Sequence, residues 1–242
     1  MRSLSTLRML VLLCALNLAF AVSVNAARVS KDLESRVSNA IGNYYSDPFY
    51  VSVNDYGKVM IKGEVPTLYD KMRIFEIASA VPGVFEIENL MTVANATVPD
   101  KTLESEILEA LKENESILEP DRIAVRVNNG LVFFTGEVSF YREKLMATTI
   151  ASWQKGVKGI ENELTVLTPK AARSDANLDI ILHEILENKF PLDKKIDLTV
   201  QDGIVKLRGQ AYRLWDKNKM EEEFLKVLGV KGVVNELTVR RS

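Results

Sequence analysis

Few side chains in this sequence could act as an acid, base, nucleophile or metal ligand. His183 is the sole histidine and Cys14 is the sole cysteine. No second histidine or cysteine is present to complete a metal site or a catalytic triad around His183. Carboxylates such as Glu106 and Glu109 fall where the apolar periodicity predicts solvated helix faces. We therefore expect a protein that is not an enzyme, with no catalytic residue, metal ligand or cofactor.

Aromatic and basic residues offer a different chemistry, which is binding to an anionic or amphipathic surface. An aromatic and basic helix face is favoured at a membrane interface and by anionic head groups. The candidates for such a surface are Trp153, Trp215, Phe75, Phe85, Phe140, Lys155 and Lys158. Whether these side chains face solvent depends on the secondary-structure elements that carry them.

A glycine-bounded pattern occurs three times with a constant step of 73 residues. In each copy two glycines bracket an alternating apolar stretch, and an asparagine follows in the same register. The landmarks are Gly57, Gly63 and Asn89; Gly130, Gly136 and Asn162; and Gly203, Gly209 and Asn235. A repeat at a fixed period indicates copies of one structural unit. The sequence therefore predicts three tandem modules.

Every copy has the same predicted order of elements. Apolar residues at every fourth position, such as Leu103, Ile107 and Leu111, indicate an amphipathic helix. Two alternating strands follow around Asn129-Gly130 or its counterpart, which is typical of a hairpin turn. A second helix and a final strand complete the module. We predict an α+β fold of three tandem αββαβ modules, each a three-stranded mixed sheet packed on two helices.

The predicted module boundaries leave short connecting segments. Module 1 is expected at residues 28–94, module 2 at 100–167 and module 3 at 175–241. The connectors contain proline with small or polar residues, which is typical of linkers. Domains this small bury little core, so packing between modules would help to stabilise them.

Residues 1–26 have the pattern of a cleavable signal peptide. Arg2 and Arg8 precede an apolar run, and Val24-Asn25-Ala26 suits a signal peptidase. The alternative is an uncleaved anchor, although the run is shorter than the roughly 20 residues that a span needs. Leu13 precedes Cys14 where a lipoprotein signal has a small residue, so no lipid anchor is expected. Removal of residues 1–26, which hold two arginines and no acid, changes the net charge from −2 to −4.

The segments 156–166 and 229–239 both follow the pattern Gly-Val-Lys-Gly-x-x-Asn-Glu-Leu-Thr-Val. Together with the upstream glycine pattern, they resemble the BON domain. Module 1 departs from the pattern at Phe85 and Leu90, and module 3 has Ala211 where the others have valine. The resemblance implies an envelope protein of a Gram-negative cell, associated with osmotic or envelope stress and with a proposed phospholipid-binding role. It implies no established catalytic residues.

The repeated glycines and asparagines are expected to be structural. A glycine at the end of the second strand, as at Gly63, Gly136 and Gly209, suits a bend or a close backbone approach. An asparagine in the last strand, as at Asn89, Asn162 and Asn235, can hydrogen-bond a neighbouring loop backbone.

The alignment of the three copies indicates which aromatic residues are exposed. A column that holds lysine, arginine or glutamate in one copy predicts a solvent-facing position in all three. Two interpretations remain open for these aromatic residues, membrane binding or packing between modules or onto a partner. The aligned sets are Phe75, Thr148 and Glu221; Trp153, Ala80 and Lys226; Phe85, Lys158 and Lys231; Phe140, Thr67 and Arg213; and Trp215, Tyr69 and Arg142.

Taken with the resemblance, these features predict a non-enzymatic periplasmic protein, soluble or peripheral on a membrane. We expect it to bind envelope phospholipid or membrane-associated proteins in envelope or osmotic stress protection. The alternative is a soluble periplasmic chaperone-like or spacer protein. A net charge of −4 argues against a nucleic-acid partner, and no small-molecule substrate is expected.

Overall fold

The computed structural model describes residues 29–46, 49–54, 57–94, 98–167, 173–193 and 195–240. The predicted signal peptide lies outside these residues. Among the helices that are described, none combines the length and apolar character needed to cross a membrane.

Each copy folds in the predicted αββαβ order. Module 1 consists of α1 (29–42), β1 (Phe49–Val53), β2 (Lys58–Val65), α2 (Leu68–Ser79) and β3 (Glu86–Val93). Module 2 consists of α3 (Asp100–Glu113), a 3₁₀ turn (Pro120–Arg122), β4 (Ile123–Asn128), β5 (Leu131–Val138), α4 (Tyr141–Ser152), β6 (Gly159–Asn162) and β7 (Thr165–Val166). Module 3 consists of α5 (Asp175–Lys189), β8 (Ile196–Gln201), β9 (Ile204–Ala211), α6 (Leu214–Leu225) and β10 (Gly232–Val239).

The sheets are mixed and share one topology. The second strand is central, and the first strand pairs with it antiparallel through the hairpin. The last strand pairs with it parallel, because the second helix carries the chain across the sheet. In module 2 this last strand is interrupted, and both β6 and β7 pair with β5. The predicted fold class is confirmed.

A separate apolar cluster forms the centre of each module. The stripe of the first helix is buried in every copy, as shown by Leu103, Ile107 and Leu111 in α3. These side chains pack on the inward residues of the central strand, such as Val132 and Phe134. The period of the helix and the alternation of the strands therefore bury the same residues that the sequence pattern selects.

The landmark glycines near the end of the central strand lie where another backbone comes very close. Gly136 has φ +116°, and a Cβ atom there would lie 2.1 Å from the carbonyl oxygen of Arg122. Gly209 has φ +123° and would place a Cβ atom 2.2 Å from the carbonyl oxygen of Lys195. A side chain at either position would collide with the backbone that enters the first strand.

The landmark asparagines join the last strand to the second helix. In module 2, Asn162 Nδ2 donates to the carbonyl oxygen of Lys144 at 2.8 Å, and its Oδ1 accepts from the Leu164 N–H at 3.1 Å. Asn89 and Asn235 make the corresponding bonds in their own modules. The amide nitrogen therefore donates to a helix carbonyl, while in module 2 the amide oxygen accepts from the backbone of the segment between β6 and β7.

An acidic residue at the start of the first helix holds the hairpin turn in two modules. The Asp100 carboxylate accepts from the backbone N–H groups of Asn129 and Gly130 at 2.7 and 3.0 Å. Asp175 accepts from the corresponding N–H groups in module 3 at 2.7 and 2.9 Å. Asn129 lies at φ +52°, so the carboxylate fixes a turn whose backbone is left-handed.

The three modules close a ring through the first residue of each second helix. Leu68 starts α2 and packs in the core of module 2, while Leu214 starts α6 and packs against the core of module 1. Tyr141 starts α4 and lies against the segment 225–231 of module 3. Burial there raises the pKa of the Tyr141 phenol, and the carboxylates of Glu222 and Glu221 add to the rise. Head-to-tail contacts of this kind close when the third unit meets the first.

Candidate binding surfaces at the second helices

Trp153 caps the C-terminus of α4 and fills the interface between modules 1 and 2. Its ring centroid lies 5.4 Å from that of Tyr69 in an edge-to-face arrangement. Such pairs are preferred geometries of aromatic rings. The indole is nevertheless 54% exposed, so one part of it packs on module 1 while the rest faces solvent.

The segment that follows Trp153 carries unpaired positive charge. Lys155 and Lys158 are exposed, and neither has an ion-pair partner within 4 Å among the described residues. We call residues 153–158 the basic loop. Nearby in sequence, the guanidinium of Arg142 lies 4.8 Å from the ring of Phe140. Module 2 therefore combines an exposed indole with two free ammonium groups in six residues.

Module 3 has similar residue types at its second helix, but several of its cations are paired with carboxylates. Lys217 and Lys231 have no ion-pair partner within 4 Å among the described residues. Lys226 contacts Glu222 and Glu223 at 2.6 and 2.7 Å. Arg213 contacts both carboxylate oxygens of Asp216 at 2.7 Å. Burial opposes ionisation of Glu222, yet hydrogen bonds from lysine side chains outweigh it and lower the pKa of that carboxyl group. Lys226 and Arg213 therefore contribute little net positive charge to this surface.

A cavity of about 340 Å³ lies between α2 and α6, where modules 1 and 3 meet. We call it the α2–α6 cavity. Its apolar wall consists of Leu68, Met72, Phe75 and Trp215. Polar side chains complete the lining around this wall. They belong to Lys71, Glu76, Ser79, Asn89, Asn218, Lys219 and Glu222.

The repeat places side chains of different size at equivalent positions of two module interfaces. Trp215 occupies the column of Tyr69, and Ala80 occupies the column of Trp153. In the interface between modules 1 and 2 the two aromatic rings meet. In the interface between modules 3 and 1 a methyl group stands in the column of the indole. The aromatic pair of the first interface therefore has no counterpart between Trp215 and residue 80.

The remaining predicted aromatic residues lie elsewhere. Phe85 packs over the first hairpin turn, where a Cβ atom on Gly57 would come within 2.6 Å of its ring. Phe140 lines a smaller cavity of about 210 Å³ between modules 2 and 3. Trp153 is exposed, whereas Phe75, Phe85, Phe140 and Trp215 are half-buried, because packing within or between modules covers them. The candidates thus divide among the basic loop, the α2–α6 cavity and two separate positions.

A further cavity of about 420 Å³ lies at the end of α5, beside His183, Glu187 and Asp193. Asp193 is only 3% exposed and accepts a hydrogen bond from the Tyr212 N–H. Its Oδ2 has no partner among the described residues, and burial raises the pKa of its carboxyl group. Within the described ranges no three histidine, cysteine or acidic residues lie together in a way that could hold a metal ion.

Sequence reasoning missed two lining residues of the α2–α6 cavity, Met72 and Lys71. Neither belongs to an aromatic column, so the alignment of the copies gave no reason to select them. They are found only when the facing surface of α6 is known.

The BON domain pattern matches this chain three times, at residues 30–95, 99–168 and 175–241. The outer membrane lipoprotein DolP of Haemophilus influenzae is 27% identical over 142 residues, which cover 57% of this chain and 72% of that protein. Two solved structures of CdsD, a structural protein of the type III secretion system of Chlamydia trachomatis, are 14% identical. They align with TM-scores of 0.23 and 0.24, and each alignment covers 86% of this chain and 98% or 92% of the CdsD chain.

Proposed function

The chain belongs to the BON domain family, and we propose that it is a non-enzymatic envelope protein that binds anionic phospholipid through the basic loop. The observation that carries this proposal is the exposed indole of Trp153 beside the unpaired Lys155 and Lys158. The similarity to an outer membrane lipoprotein supports an envelope location. The signal-peptide pattern of residues 1–26 supports export to the periplasm, with peripheral attachment to a membrane.

The basic loop attracts the membrane, although the chain as a whole carries no net positive charge. Tryptophan favours the level of the head groups, where its ring is buried and its N–H stays hydrated. Each lysine near an anionic membrane surface contributes about 1 kcal/mol. The chain as a whole is acidic, with a net charge of −2, so the attraction must come from the basic loop and must weaken as salt screens it.

Sedimentation with vesicles tests this proposal. Residues 27–242 would be mixed with phosphatidylglycerol or phosphatidylcholine vesicles at low and physiological salt. We expect salt-sensitive binding to phosphatidylglycerol that falls about 30-fold in the Lys155→Gln/Lys158→Gln double variant, which follows from two lysines at about 1 kcal/mol each. The matched control is Lys195→Gln/Lys231→Gln, which removes two exposed lysines of module 3 and should leave binding unchanged.

Two results would contradict the proposal. Equal loss in the two double variants would mean that only total charge matters. Absence of binding at both salt concentrations would favour a soluble role directed at other periplasmic proteins, with protection against envelope or osmotic stress exerted through them. Suppression of client aggregation without lipid would then be the distinguishing measurement.

A further inference from the structure

The α2–α6 cavity has the properties of a binding site for a detached ligand, distinct from a docking surface for a bilayer. Its volume of about 340 Å³ lies at the lower end of the roughly 300–1,000 Å³ that ligand sites span. Ligand sites combine apolar walls with a few polar groups that fix orientation. Met72, Phe75 and Trp215 supply such a wall, on helices from two different modules.

The charges around this cavity select the ligand's head group. Both carboxylates at the rim are already paired, because Glu76 contacts Arg73 at 2.7 Å and Glu222 contacts Lys219 at 2.7 Å. Lys71 also lines the cavity and has no ion-pair partner within 4 Å among the described residues. The uncompensated charge of the site is therefore positive.

We propose that the α2–α6 cavity binds a single-chain amphiphile with an anionic head, whose apolar chain lies along Phe75 and Trp215 and whose carboxylate or phosphate is paired with Lys71. A single chain fits the small volume and the single free ammonium group. Two sources share this chemistry, a free fatty acid and a single-chain phospholipid. The site is separate from the basic loop, so binding here does not depend on docking to a membrane.

The comparison of module interfaces supplies an independent argument for an open site. Where modules 1 and 2 meet, Trp153 fills the space beside Tyr69. The residue in the column of Trp153 is Ala80 in module 1, and its methyl group cannot form such an aromatic pair with Trp215. A small side chain in this column is expected to leave the neighbouring α2–α6 cavity open. An apolar gap without an occupant costs the packing energy of its lining atoms. An apolar ligand restores those contacts.

Tryptophan fluorescence gives a direct measurement, because the chain has only two tryptophans. In the full-length chain carrying Trp153→Phe, Trp215 is the single indole and reports on the cavity. We expect titration with decanoate, kept below its micelle concentration, to change the Trp215 emission and to saturate. Octanoate, which is two methylenes shorter, should bind roughly tenfold more weakly. A ten-carbon lysophosphatidylglycerol distinguishes the phospholipid source from the fatty acid.

Two variants test the site by calorimetry in the otherwise unchanged chain. Ala80→Trp fills the gap as Trp153 does in the neighbouring interface, and we expect it to abolish decanoate binding while the protein stays folded. Lys71→Gln keeps the apolar wall and should remove the preference for decanoate over decyltrimethylammonium. Lys71 lies at the rim, so this second variant remains informative if Ala80→Trp disturbs folding.

Three results would overturn the proposal: no saturable decanoate binding, unchanged binding in a folded Ala80→Trp variant, or equal affinity of the unmodified chain for decyltrimethylammonium. The Lys155→Gln/Lys158→Gln variant separates this site from the basic loop. It should bind decanoate normally while losing vesicle binding. Loss of decanoate binding in that variant would also contradict a separate site.

Discussion

Modules 1 and 2 meet through an aromatic pair, whereas a cavity lies where modules 3 and 1 meet. In the first interface Leu68 is almost fully buried and Tyr69 packs edge-to-face on Trp153. In the second, Leu214 is half-buried and Trp215 borders the α2–α6 cavity. The backbone arrangement is repeated, but the column that holds Trp153 in the first interface holds Ala80 in the second.

This difference indicates how one interface of a repeat protein can provide stability while another provides a binding site. Interfaces between modules must hold three small cores together. A filled interface contributes stability, and an open interface leaves apolar surface for a ligand at the expense of packing. We expect the two interfaces to respond differently to substitution, and each experiment below measures that difference.

The largest effect is expected from Leu68→Ala. This side chain is 8% exposed and packs in the core of module 2, and it also borders the α2–α6 cavity. Truncation of a buried leucine costs about 2–5 kcal/mol. The corresponding Leu214→Ala should cost clearly less, since Leu214 is only half-buried. Urea unfolding of the two variants gives the free energies of unfolding. Equal losses would mean that the two interfaces contribute alike.

A smaller loss is expected from Trp153→Ala, about 1–2 kcal/mol, because the variant removes an edge-to-face pair and part of a half-exposed indole. It should also create in the first interface the gap that Ala80 leaves in the second. Calorimetry should then show decanoate stoichiometry rising from one to two. Trp153→Phe is the control that retains a ring. A stoichiometry that stays at one would show that the residue in this column does not determine the cavity.

The smallest effect is expected from Asp193→Asn. Asp193 accepts a hydrogen bond from the Tyr212 N–H, just before α6, the helix that carries Leu214 and Trp215 into the interface between modules 3 and 1. Burial raises the pKa of the Asp193 carboxyl group, with a further contribution from Asp216 that Arg213 opposes. A carboxyl group with a raised pKa in the folded state favours folding below its unfolded pKa, and this contribution is lost as the pH rises through the folded value. Asp193→Asn should therefore be more stable than the unmodified chain at pH 7.

The pH dependence of that variant distinguishes charge from packing. Asparagine keeps an oxygen that accepts from the Tyr212 N–H, so the hydrogen bond is retained. The gain in the free energy of unfolding should shrink as the pH falls through the raised pKa of the native carboxyl group. It should be lost once the pH is below the usual pKa of an aspartate, where the carboxyl group is protonated in both the folded and the unfolded state. A gain that is constant across pH would assign the effect to packing instead of ionisation.

The sequence by itself determined the modules and their internal structure. The step of 73 residues, the stripe of Leu103, Ile107 and Leu111, and the turn at Asn129-Gly130 are local or periodic signals, and each reports directly on one element. The carboxylate of Asp100 was not selected, because its hydrogen bonds to Asn129 and Gly130 reach across the module and leave no periodic trace.

The tertiary structure decided which aromatic residues are available and which cations are free. Trp215 and Phe75 line one cavity because α2 and α6 face each other across the ring, whereas Trp153 leaves part of its ring in solvent. The alignment identified polar columns but not the neighbouring module that covers them. Contacts between modules join residues far apart in the chain, and their geometry follows from packing and ring closure, not from local sequence pattern.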